Sequence, residues 1–73
     1  MAEPAATVHV TVNGTDTEVA RGTSVDDLLV QLGLDGRWVV VERNREPMLR
    51  RDLATTVLVD GDRVELVRAV AGG

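Results

Sequence analysis

Residues 8–19 read VHVTVNGTDTEV, and this stretch decides the fold. Val8, Val10 and Val12 alternate with His9 and Thr11, the period of two expected of a strand with one buried face. Asn13-Gly14 follows at once. Both residues accept positive φ, so the pair suits a type I′ turn, whose twist returns the chain antiparallel to itself. Residues 15–19 are then the returning strand, and residues 1–7 a polar lead-in to the hairpin.

Beyond the hairpin, residues 21–23 (RGT) bring in Ser24, whose hydroxyl can accept from an orphan amide at a helix start, with Asp27 three residues on. Val25, Leu28, Leu29 and Leu32 fall on one apolar stripe, and Asp26 and Asp27 suit the positive end of the helix dipole. The spacing predicts a helix over residues 25–32. Gly33 can take the left-handed conformation that ends it, letting Leu34 fold back on the last turn.

Residues 38–43 (WVVVER) read as a third strand, with Val39 and Val41 facing the core and Val40 the opposite side. Pro47 lacks a ladder donor, so the segment around Met48 and Leu49 suits a short edge strand. Asp60-Gly61-Asp62 is a turn signal. Residues 63–70 then alternate Val64 and Leu66 with Glu65 and Val67 as a final strand. The order strand, strand, helix, strand, short strand, strand predicts an α+β domain, a mixed sheet of four to five strands packed on one main helix. That is the β-grasp, ubiquitin-like arrangement. Its first and last strands would run parallel side by side in the centre, giving a domain over residues 8–70 and a flexible tail over 71–73.

A chain of 73 residues has room for one core, and at this size only about 60% of the unfolded surface is buried. There is no cysteine, so disulfide staples and thiolate metal sites are excluded. The longest apolar run falls far short of the roughly 20 residues that span a bilayer, and the lead-in lacks the blocks of a signal peptide. A cytoplasmic protein is expected, with no membrane partner. Eight basic residues, all arginine, against twelve acids give a net charge of −4, which argues against a nucleic-acid footprint. Arg50 and Arg51 stand adjacent and read as a solvated loop.

Candidate chemistry is sparse. His9 lies on the polar side of the first strand without an evident partner, which makes it a surface residue rather than a base. Asp60 and Asp62 fall well short of the roughly six to eight oxygens calcium prefers, and turn chemistry accounts for them. No catalytic residue and no metal site is expected. The feature that stands out is the ending Ala71-Gly72-Gly73. Two residues without a Cβ can thread a confined active site, and a terminal carboxylate there would be the reactive group. The plainer reading is a frayed end of small residues.

The chain also resembles the bacterial ubiquitin-like sulfur carriers of the ThiS family, from Val8 onward. The resemblance rests on residues 10–14 (VTVNG), 28–34 (LLVQLGL), Asn44, Arg50, residues 60–67 (DGDRVELV) and 70–73 (VAGG). There are departures. After Asn44, where relatives often carry glycine or a small polar residue, this chain has Arg45; Leu53 stands where they often have tryptophan, and Trp38 is its own.

The resemblance implies a protein cosubstrate rather than an enzyme, with no cofactor of its own. A terminal carboxylate, with a pKa of about 3.5, is an anion near neutral pH and resists nucleophiles. An E1-like adenylyltransferase of the ThiF type would therefore use ATP and Mg²⁺ to adenylate Gly73. Sulfur from a persulfide donor, typically through a cysteine desulfurase, would then leave a thiocarboxylate, which a ThiG-type thiazole synthase would consume in thiamine biosynthesis. Partner binding is expected on the sheet face away from the helix, through Val40 and Val67, flanked by Arg63 and Glu65. Isolated exposed valines are otherwise ordinary. The ending VAGG is also similar to that of the small subunit of molybdopterin synthase, which leaves that role, or a carrier for another pathway, as an alternative, although the short chain and the stretch DGDRVE lean towards the thiamine carrier. A non-catalytic interaction module whose glycine tail is incidental is the alternative of a different class.

Overall fold

A computed structural model describes residues 6–68. The hairpin forms as the alternation dictates: β1 (Thr7–Val12) pairs antiparallel with β2 (Thr15–Ala20). The turn between them has φ of 49° at Asn13 and 80° at Gly14, both in the left-handed region. β1 begins at Thr7, one residue inside the expected lead-in.

The one α-helix among the described residues, α1 (Val25–Gln31), starts on a complete capping box. The Asp27 amide donates to Ser24 Oγ at 3.0 Å and the Ser24 amide to Asp27 Oδ2 at 3.1 Å, so two orphan donors are satisfied reciprocally. At the other end Leu32 caps the helix. Gly33 adopts φ 73°, and the amides of Leu34 and Gly33 donate back to the carbonyls of Leu29 (2.8 Å) and Val30 (3.0 Å). This is the six-to-one and five-to-two pattern of a Schellman stop.

The expected third strand is shorter than predicted. Trp38 belongs to a 3-10 turn, Gly36–Trp38, and β3 runs Val39–Arg43. Local hydrogen bonding causes this, since the Asp35 carboxylate caps the Arg37 amide at 2.8 Å and pairs with its guanidinium at 2.7 Å. The expected parity holds: Val41 is buried, Val39 half-buried and Val40 exposed.

The short edge strand lies two residues earlier than predicted. β4 is Glu46–Pro47, paired antiparallel with Arg43 and Glu42, whereas Leu49 is exposed and leads into a second 3-10 turn, Arg50–Asp52. Pro47 is tolerated within β4 because an edge strand need not donate on its outer side. Met48 still donates to the Val41 carbonyl at 2.8 Å, so one further rung follows the assigned strand.

β5 (Arg63–Arg68) closes a five-stranded sheet of order β2-β1-β5-β3-β4, with β1 and β5 parallel and every other pair antiparallel. The predicted end of this strand at residues 69–70 falls outside the described residues. Leu28 and Leu29 of α1 pack onto Val8, Val10, Val41 and Val64 from the sheet. Leu53 and Leu58, from the long connection between β4 and β5, complete that core.

Candidate functional site

β5 carries the last described residues, so its anchorage and its two faces define the site. Its central position gives it a neighbour on each side. Cross-strand pairing sets Val67 opposite Val40 and Glu65 opposite Glu42, all on the face away from the helix. Val40 and Val67 are 52% and 62% exposed, large values for neighbouring apolar side chains in the middle of a sheet. Arg63 lies on the same face and reaches Glu65 at 3.3 Å. The fold thus brings Val40, Val67, Arg63 and Glu65 onto one surface. Ala71, Gly72 and Gly73 lie outside the described residues.

On the helix side of the same end of the sheet, Val12, Leu32, Leu34, Val39 and Leu66 line an open cleft of about 340 Å³, with Asn13 and Arg68 also in its wall. The strand therefore reaches its last described residue between an apolar patch on one face and an apolar cleft on the other.

The start of β5 is held by a buried carboxylate. Asp62, 3% exposed, accepts from the Val59 amide (2.9 Å), Arg43 Nε (3.1 Å) and Asn44 Nδ2 (3.0 Å). Burial by itself would raise its pKa, but the Val59 amide, the Asn44 amide and the Arg43 guanidinium together hold it below the ordinary carboxylate value. Asn44 also accepts from the Arg63 amide at 2.9 Å through its side chain. Asp60 plays a smaller part, accepting from the His9 amide at 2.8 Å. The two aspartates thus act as backbone anchors around the turn at Gly61. Among the described residues no group of three or more His, Asp or Glu side chains could hold a metal ion, and His9 is exposed, 3.1 Å from Glu18.

On the surface, Asp35 is held down to a pKa of about 2 by the side chain and then the backbone amide of Arg37. It serves the 3-10 turn before β3, where its carboxylate accepts from Arg37.

The model of the ThiS family matches residues 10–73. The chain belongs to the ThiS family. It is 35% identical to the sulfur carrier protein ThiS of Bacillus subtilis over 85% of its own length and 96% of that protein's. It is also 36% identical to a thiazole synthase of Paramagnetospirillum magneticum over 66 residues, 90% of this chain. A thiazole synthase of Magnetococcus marinus is 33% identical over the same share. This chain spans about a fifth of the length of those two synthases. The crystal structure of a thiamine biosynthesis protein (ThiS) from Geobacter metallireducens superposes with a TM-score of 0.77 at 35% identity, covering 90% of this chain and all of that one. The fold is the ubiquitin-like β-grasp.

Two departures from the ThiS pattern acquire physical meaning in the structure. Arg45 has φ of 70° and follows Asn44 at 53°, so the position where the resemblance led to glycine or a small polar residue is left-handed in this chain. Leu53, in place of tryptophan, is buried at 3% exposure. Sequence reasoning missed the anchoring roles of Asn13, Asn44 and Asp62, treating the first and last as turn formers. The one available signal was that each is among the residues on which the resemblance to the family rests, Asn44 by itself and the other two within longer stretches.

Proposed function

We propose that this protein is the sulfur carrier of thiamine thiazole biosynthesis, acting as a protein cosubstrate with Gly73 as the acceptor. The observation that carries the reading is full-length likeness to a sulfur carrier: the match to the Bacillus protein spans 96% of it, and the family match runs through residue 73. In this reading an E1-like partner supplies ATP and Mg²⁺. The Gly73 carboxylate attacks the α-phosphorus, releasing pyrophosphate and giving an acyl-adenylate. The terminal sulfur of a persulfide displaces AMP, and a thiol then cleaves the resulting S–S bond, leaving a thiocarboxylate. Nothing on the carrier itself moves a proton.

The downstream partner is a thiazole synthase. Two synthases contain a segment similar to 90% of this chain within a much longer protein, and a carrier joined to its consumer operates at high effective concentration. These relatives favour the thiamine route over molybdopterin synthase. The patch of Val40 and Val67, with Arg63 and Glu65 beside it, is the surface we assign to partner docking.

Intact-mass spectrometry tests the reading. Incubation with ATP, Mg²⁺, an E1-like adenylyltransferase and a persulfide source is expected to replace one oxygen by one sulfur, and deletion of Gly73 to abolish the change. Equal modification of the truncated chain would place the chemistry elsewhere.

A further inference from the structure

We propose that Asn13 is a positioning residue for the tail, its side-chain amide standing in for the missing next residue of β1 and holding that edge of the last strand through Leu66. The role in delivery rests on the sulfur-carrier reading above; the clamp itself does not.

The parallel pairing of β1 with β5 is short, with Thr11 opposite Arg63 and Val12 opposite Val64. Along it the carbonyls of Asp62 and Val64 face β1, accepting from the amides of Thr11 (3.0 Å) and Asn13 (2.9 Å). Leu66 is the next residue of that row. By then β1 has turned away, because Asn13 and Gly14 form the hairpin turn. The Asn13 side chain fills the gap. Its Oδ1 accepts from the Leu66 amide at 2.7 Å and its Nδ2 donates to the Leu66 carbonyl at 3.3 Å. A carboxamide carries the same donor and acceptor as a peptide group, so the ladder gains one rung without a strand beneath it.

On the other flank β3 accompanies β5 as far as Val39 opposite Arg68. β5 is therefore gripped on both edges through Leu66. Without the clamp its β1 edge would be held only to Val64, and the base of the tail would fluctuate more. A partner that threads the tail into a narrow site must remove that freedom, which weakens binding rather than chemistry.

Residue type follows from the two tasks. Asn13 needs positive φ for the turn and a donor–acceptor pair for the clamp. Glycine would meet only the first, and aspartate would set a carboxylate oxygen against the Leu66 carbonyl.

Asn13→Gly keeps the turn and removes the amide. Hydrogen exchange followed by NMR is expected to show the Leu66 amide exchanging about tenfold faster than in the parent, with Val64 little changed. In the activation assay KM for the carrier should rise about three- to tenfold at constant kcat. Ser24→Ala, which removes the helix N-cap rather than a contact of β5, serves as the comparison. It should lower stability and leave KM alone at equal folded fraction.

Unchanged Leu66 exchange in Asn13→Gly overturns the clamp. Faster exchange with unchanged KM, or an equal KM rise in Ser24→Ala, overturns the positioning role. A parent chain that accepts no sulfur at all sinks the carrier reading and the delivery role with it, while exchange at Leu66 still judges the clamp.

Discussion

Asp62 illustrates how much a single side chain can carry in a domain this small. Its carboxylate joins the turn at Val59, the end of β3 at Arg43 and the loop residue Asn44, and its carbonyl receives the Thr11 amide. With its pKa below the unfolded value, the native state binds fewer protons than the unfolded chain, so stability rises with pH. That contribution is complete above the unfolded carboxylate pKa of about 3.9 and disappears as pH falls through the lower native value. Asp62→Ala is expected to cost about 2–4 kcal/mol in urea unfolding at neutral pH, and to flatten the acid limb of the stability profile. An unchanged acid limb would assign the pH dependence to other carboxylates. Arg45 offers the opposite sign. Its left-handed backbone strains a residue with a Cβ, and Arg45→Gly is expected to stabilise the domain by about 1 kcal/mol, read as a shift of the urea midpoint.

At the scale of elements, the helix was legible because each of its signals is local. Ser24 and Asp27 form the box, Gly33 the stop, and Val25, Leu28 and Leu29 of the expected stripe are buried, whereas Leu32, its fourth member, caps the helix one residue past its end and is exposed. Ser24→Ala should cost about 1 kcal/mol by losing an acceptor for the Asp27 amide; a loss near zero would mean water replaces the hydroxyl. The edge strand was harder to read. Its position depends on which residues β3 leaves unpaired, and Glu46–Pro47 carries no periodic signal of its own in so short a run. Trp38 was misplaced for a related reason. A β-rich run of side chains favours extension, but the cap supplied by Asp35 holds the chain in a 3-10 turn for one residue longer.

For the whole molecule, the consequence of this fold is that its last strand is central. β5 has β1 on one side and β3 on the other, and it bears exposed Val67 beside Val40. If that surface docks the activating enzyme, Val67→Asp should raise KM for the carrier about tenfold or more while changing stability by less than about 0.5 kcal/mol. Activation at the parent KM would remove the patch from the interface. The sequence by itself determined the hairpin, the helix and its caps, the parity of β3 and the order of elements that implies a β-grasp sheet. Those features depend on side-chain period and on contacts within a few residues. Only the tertiary structure decided what Asn13, Asn44 and Asp62 hold, because their partners lie 53, 19 and 19 positions away in sequence. A polar residue in a turn satisfies the local geometry whether or not its side chain has a distant donor to meet, and only the folded sheet brings that donor within reach.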